Sequence, residues 1–187
     1  YTTLFRSSYA VMIVLIATMA AWLMALALHL KPVDFLPLNL SMLQYIVFRL
    51  LTSFCGVFGF SIMFNSPVPL AMSAAVIGAI SNTLRLELVD LASLPPAAAA
   101  FFAAMIAGLL ASAYKKHSGF PRIAITVPSI VIMVPGLYLY RAIYNLGMMN
   151  LSISASWFAS ATLIILALPL GLIFARIMTD KMFRYCT

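Results

Sequence analysis

TVPSIVIMVPGLYLYR, residues 126–141, is an apolar helical sequence carrying its own interruptions. Pro128 and Pro135 stand seven residues apart, and Pro135 is followed by Gly136. Each proline removes one helical hydrogen bond, and a Pro-Gly pair favours a turn, so the reading predicts a helix with breaks. Hydrocarbon offers an unpaired peptide group nothing to bond, and interrupted backbone is tolerated there only when buried in protein or lining a wet cavity. A broken apolar helix therefore points to a solute or ion path, against the plainer reading of a kink that only bends a packing helix.

The chain around this stretch is written for a bilayer. Of its 187 residues 65% are hydrophobic and 8% charged, against roughly a quarter charged in soluble domains. Apolar runs at residues 9–30, 43–64, 70–80, 97–114, 120–149 and 154–177 predict an all-α, polytopic membrane helical bundle of about six spans. The first run is too long for a cleavable signal and lacks a small-residue cleavage site. The chain begins at Tyr1 and not at methionine, as a fragment or processed product would. Cys55 and Cys186 suggest neither a disulfide framework nor a metal site.

Punctuation between the runs sets the boundaries. Residues 31–39 hold two prolines with Asp34 and Asn39, and are the expected boundary between a first span with its loop, 1–40, and a five-span domain, 41–187. Asn65 to Pro69 reads as a tight turn, and Pro95-Pro96 opens the next helix, where proline loses nothing. Arg49 lies about two turns into its run and is expected to snorkel to the headgroups. Small residues recur every four positions at Ala74, Gly78 and Asn82, at Ala100, Ala104, Gly108 and Ser112, and at Ala167, Gly171 and Ala175. Such ladders let helix backbones approach closely and are read as packing seams.

With a cytoplasmic amino terminus, six crossings put Arg6, Lys115, Lys116, Arg122, Arg176, Lys181 and Arg184 inside and Lys31, Arg49, Arg85 and Arg141 outside. Seven against four obeys the positive-inside rule and accounts for the net charge of +7 without a nucleic acid. A re-entrant hairpin at 120–149 would put the basic tail outside, so one tilted or broken crossing is expected. His29 and His117 sit at span ends, and no phosphate loop, metal-ligand pair or paired intramembrane carboxylate occurs, so neither an enzyme nor a cofactor is indicated. Glu87 and Asp90 are the carboxylates available for ion coupling at the outer border.

The solute chemistry follows from the broken span. A half-helix starting at Pro135-Gly136 aims free N–H groups and a positive dipole end at an anion, which suits a carboxylate. Thr126, Ser129, Pro135 and Gly136 are therefore the expected lining of a path, with Asn82, Arg85 and Arg141 drawing in the solute's carboxylate. The hydroxyl of Tyr138 is available too, whereas Tyr140 and Tyr144 fit an interfacial aromatic belt better.

These residues also carry a resemblance. Gly59-Phe-Ser-Ile-Met-Phe-Asn65 with Pro67, Gly78-Ala-Ile-Ser-Asn82 with Arg85, and Thr126 to Gly136 ahead of Tyr140 resemble the carboxyl-terminal half of the threonine/serine exporter family, over about residues 43–178. The resemblance implies an inner-membrane secondary exporter of two halves, fused or separate. The amino-terminal half would then be supplied by a partner, within an oligomer. Some split members are linked to succinate, so the implied solutes run from threonine and serine to dicarboxylates. The span at 9–30 precedes the matching region and reads as the end of an amino-terminal half. The competing class is a noncatalytic membrane scaffold whose breaks and ladders serve packing alone. Polar groups converging inside the bundle would favour transport, and a dry, close-packed interior the scaffold.

Overall fold

The computed structural model describes residues 2–29 and 40–180, so the loop expected at 31–39 and the tail beyond residue 180 lie outside the described residues. All regular structure among the described residues is helical: α1 (Thr2–Ala27), α2 (Met42–Met63), α3 (Val68–Asp90), α4 (Pro96–Ser118), α5 (Arg122–Val131), α6 (Gly136–Gly147) and α7 (Leu151–Thr179). Helices α2, α3, α4 and α7 are each long and apolar enough to cross a bilayer, and the broken pair α5 and α6 meets the same measure when taken together. The 26 residues of α1, apolar for most of their length, bring the number to about six, as the sequence predicts.

Local chemistry explains the helix ends. Asn65 adopts the left-handed conformation after α2, at φ 57°, and its N–H donates to the Ile62 carbonyl at 2.9 Å. Asparagine is among the few residues other than glycine that adopt this conformation readily. Gly119 closes α4 in the same way, at φ 69°. Pro96 is the first residue of α4, and the backbone N–H of Ser41 donates to Gln44 Oε1 at 3.0 Å at the start of α2.

Between α5 and α6 the chain tightens before it stops. Met133 N–H donates to the Ile130 carbonyl at 2.9 Å and Val134 N–H to that of Val131 at 3.1 Å, and α6 restarts at Gly136. Only one of the two expected breaks is present. Pro128 lies inside α5, as Pro169 lies inside α7, and both helices continue through them. A lone proline costs one hydrogen bond and bends a helix that its neighbours can still hold, whereas Gly136 after Pro135 adds a residue with no side chain to brace the turn.

The chain divides into two compact units: Leu40–Gly136 with the chain from Ala159 onward, and the residues before Leu40 with Leu137–Phe158. In the larger, α3 packs against α2, α4 and α5, and the contact faces are made of small residues. Ala71, Ala74 and Ala75 of α3 and Ala100, Ala104 and Ala107 of α4 are fully buried. A Cβ on Gly78 would stand 2.7 Å from Val57 Cγ2 and 2.9 Å from the Ser129 carbonyl oxygen, so α3 meets α2 and α5 there with no room for a side chain. On α4, a Cβ on Gly108 would stand 2.7 Å from the Ala175 Cβ, and one on Gly171 of α7 would collide with the backbone of Phe101 and Met105. The ladders are thus helix crossings. Large apolar side chains such as Phe60, Val76, Phe102 and Phe174 point outward, which suits a surface solvated by lipid.

In the smaller unit, Gly147 of α6 lies against the Trp22 indole of α1, and Ser154 Oγ donates to the Ala142 carbonyl at 2.6 Å, tying the start of α7 to α6. Tyr138 meets Trp157 edge to face, with ring centroids 5.4 Å apart.

Gly171→Leu is expected to lower the thermal stability of the detergent-solubilised protein by about 1–3 kcal/mol through overpacking. Gly59→Leu, whose Cβ would meet nothing within 4 Å, is the matched control and should leave the melting curve unchanged.

Candidate functional site

The carboxyl-terminal part of α3 turns polar where the rest of the helix is apolar, at Ser81, Asn82, Thr83 and Arg85. Asn82 is buried and is the centre of this group. Its Nδ2 donates to Ser53 Oγ of α2 at 2.8 Å, and its Oδ1 accepts from Arg85 Nε at 3.1 Å. Arg85 Nη1 faces the carbonyl oxygen of Met133, in the interrupted stretch between α5 and α6, at 3.5 Å, longer than a full hydrogen bond. Three separate segments of the larger unit therefore meet at the Asn82–Arg85 pair, α2 through Asn82 and the interrupted stretch through Arg85. On the same turns of α3, Ser81 Oγ and Thr83 Oγ1 are buried without a protein partner. Buried hydroxyls are normally bonded, so these two mark the neighbourhood as polar and incompletely satisfied.

A second set of polar contacts continues towards the end of α3. Arg49, one turn before Ser53 on α2, donates to Glu87 Oε1 at 2.8 Å and to Asp90 Oδ2, and its guanidinium lies 5.6 Å from the centre of the Tyr45 ring. Arg49, expected to snorkel to the headgroups, has its guanidinium in this double ion pair at the end of α3. The reason is the hairpin at Asn65, which runs α2 and α3 antiparallel and sets the start of one beside the end of the other. Glu87 and Asp90, read as the available coupling carboxylates, are both engaged by Arg49.

The remaining expected site residues have separate surroundings. Thr126 Oγ1 donates to its own helix, at the Arg122 carbonyl, 3.1 Å away, and Thr126 lines a surface cleft of about 580 Å³ between α5 and α7. Ser129 is fully buried, with Oγ 3.0 Å from the Ala74 carbonyl of α3 and 2.7 Å from that of Ile125, so its hydroxyl lies at a helix crossing. Pro135 is buried, and Gly136 is exposed, with no protein atom within 4 Å of where its Cβ would be. In the smaller unit, the Arg141 guanidinium stacks 4.8 Å over the Trp157 ring, and its carbonyl accepts from Asn145 Nδ2 at 2.8 Å. Asn82 and Arg85 are thus brought together with the interrupted stretch that contains Pro135. Ser53 and the Met133 carbonyl complete the cluster, and neither stands out in the sequence. The spacing of Ser53 four residues after Arg49 was a signal for the first, since it puts both on one face of α2.

Asn82→Leu is expected to destabilise the protein by about 1–3 kcal/mol, because it leaves the Ser53 hydroxyl and the Arg85 Nε–H without their partner. A double-mutant cycle with Ser53→Ala, read by thermal unfolding, should return a coupling of roughly 1 kcal/mol, and additivity would mean that the bond contributes nothing.

Comparison with known proteins adds an independent line. The family described as Threonine/Serine exporter, ThrE, matches residues 49–178, from Arg49 in α2 to Met178 near the end of α7. No curated protein matches the chain, and no solved structure does. The match spans well over half of the sequence and takes in the small-residue crossings, the Asn82–Arg85 cluster and the broken span, and with these the chain belongs to the threonine/serine exporter family, as a multi-pass membrane protein.

Proposed function

We propose that this chain is one half of an inner-membrane secondary exporter of threonine, serine or a similar small polar carboxylate, acting with a partner amino-terminal half. The observation that carries this reading is the Arg85 guanidinium, held by Asn82 inside an apolar helical unit and turned towards the Met133 carbonyl of the broken span. A partly buried cation attracts a carboxylate more strongly than one in bulk water, since less water screens it. An amino acid also brings an ammonium group, for which carbonyls of an interrupted helix are natural partners. The hydroxyl of Ser81, four positions before Arg85 and so on the same face of α3, suits a third polar group. This combination fits a zwitterion better than a dicarboxylate, which would need a second cation in place of the carbonyl. Pro135 and Gly136 remain the proposed path at the break, whereas the Ser129 hydroxyl is taken up at a helix crossing and Thr126 lies on a surface cleft; Arg141, in the smaller unit, keeps a separate and lesser role.

The test is threonine and succinate accumulation in cells overproducing each, with the chain and its partner half supplied together. Arg85→Gln is expected to abolish threonine export and Arg85→Lys to retain part of it, because lysine keeps the charge and loses the planar fork. Gly136→Leu should also block export at equal membrane abundance; its Cβ would meet no protein atom, so such a loss would not come from a clash within the fold. Arg141→Gln should reduce export less. Normal threonine export by both Arg85→Gln and Gly136→Leu would sink the proposed site and leave the scaffold reading. For orientation, reporter fusions at the carboxyl terminus should be active only on the cytoplasmic face, and activity on the outer face would overturn the proposed topology.

A further inference from the structure

The end of the larger unit where α4 finishes, α5 begins and α7 finishes carries a second cluster, unrelated to Arg85. Arg122 stands at its centre. Its Nη1 donates to Thr179 Oγ1 at 3.1 Å, and Thr179 in turn donates to the Ala175 carbonyl at 2.7 Å and lies 3.3 Å from Ser112 Oγ. A Cβ on Gly108 would come within 3.1 Å of Arg122 Nη2, so the small-residue crossing of α4 and α7 is also what lets the guanidinium lie close against α4. Two clefts, of about 540 and 580 Å³, open on either side of Arg122. Lys115 and Asp180 line both, and Arg176 lines the second. Three cations against one carboxylate leave a positive rim. Below that rim the second cleft is apolar, floored by Ile123, Leu172 and Ile173, and Ile123 and Ile173 are exposed on the surface that lipid must cover.

We propose that this cleft binds an anionic phospholipid, with the phosphodiester on Arg122, Lys115 and Arg176 and an acyl chain along Ile123, Leu172 and Ile173. The charge and the apolar floor select this occupant together: a soluble anion would use the rim alone, and a zwitterionic lipid would gain little from a net positive rim. Asp180 favours lipids whose headgroup offers hydroxyls, such as phosphatidylglycerol, because a carboxylate can accept from them. This proposal does not rest on the transport reading.

The experiment is native mass spectrometry and thermal unfolding of the purified protein in detergent, titrated with phosphatidylglycerol and, separately, phosphatidylcholine. Phosphatidylglycerol is expected to remain bound and to raise the melting temperature, and phosphatidylcholine to do neither. Arg122→Gln with Arg176→Gln should weaken phosphatidylglycerol binding on the order of 30-fold, taking each basic residue as worth about fivefold. Because Arg122 also bonds Thr179, Lys115→Gln is the second variant, leaving that bond in place and lowering binding by about fivefold. Equal binding of the two lipids, or unchanged binding in both variants, would overturn the proposal. Displacement of the lipid by inorganic phosphate or by free threonine at millimolar concentration would overturn it as well, by assigning the rim to a soluble ligand.

Discussion

Hydrocarbon offers a peptide group no hydrogen-bond partner, and this constraint shapes the protein from secondary structure upward. Every described element is a helix, which satisfies its backbone internally, and the one interrupted span is stopped where polar side chains are within reach. The stretch between α5 and α6 tightens into shorter-range hydrogen bonds at Met133 and Val134, and the Arg85 guanidinium faces the Met133 carbonyl from α3. A break of this kind at the lipid surface would expose unpaired carbonyls. Here Met133 and Pro135 are buried, whereas Val134 and Gly136 are exposed, so one side of the interruption is packed into the larger unit and the other is open.

Within lipid, apolar side chains gain nothing by leaving one hydrocarbon for another, and helices associate through close packing and polar contacts. Glycine and alanine at the crossings provide the first. Gly78 brings α3 against both α2 and the backbone of α5 at Ser129, and Gly108 and Gly171 bring α4 against α7. The second comes from contacts that bridge the same helices: Ser129 to the Ala74 carbonyl, Ser53 to Asn82, and Arg49 to Glu87 and Asp90. Close approach and polar bridging depend on each other, since a short hydroxyl such as that of Ser53 or Ser129 can cross the gap only where no large side chain holds the backbones apart.

The two basic clusters differ in what surrounds them. Arg85 is held by an amide and faces a carbonyl inside the unit, an arrangement suited to recognising a small charged solute from several sides. Arg122 lies at a helix end, fixed by Thr179, beside a cleft whose lower wall is apolar and continuous with the lipid-facing surface. Arg49 differs from both, because two acidic partners more than offset its single charge and make it a link between α2 and α3. The exporter family match runs from Arg49 past Arg176 and so includes all three arginines.

Much of this architecture is legible in the linear sequence because it depends on local chemistry. Runs of about 20 apolar residues give the spans, Asn65, Pro96 and Gly119 mark helix ends, and Pro135-Gly136 marks the break. Small residues every four positions identify the crossings, since that spacing is one face of a helix whatever lies opposite. Which prolines interrupt a helix was not legible: Pro128, buried, and Pro169, exposed, both lie within continuous helices, and nothing in the prolines themselves separates them from Pro135. The sequence placed Arg49 and Ser129 within apolar runs and Asn82 on a small-residue ladder but could not name the surface each one meets. Tertiary structure alone decided that Arg49 pairs with acids 38 and 41 residues away, that Asn82 reaches Ser53, that Ser129 serves a helix crossing, and that Arg122 and Arg176 share a cleft. Helical periodicity sets the direction a side chain points, whereas its partner depends on which helix the turns and close contacts bring to that side.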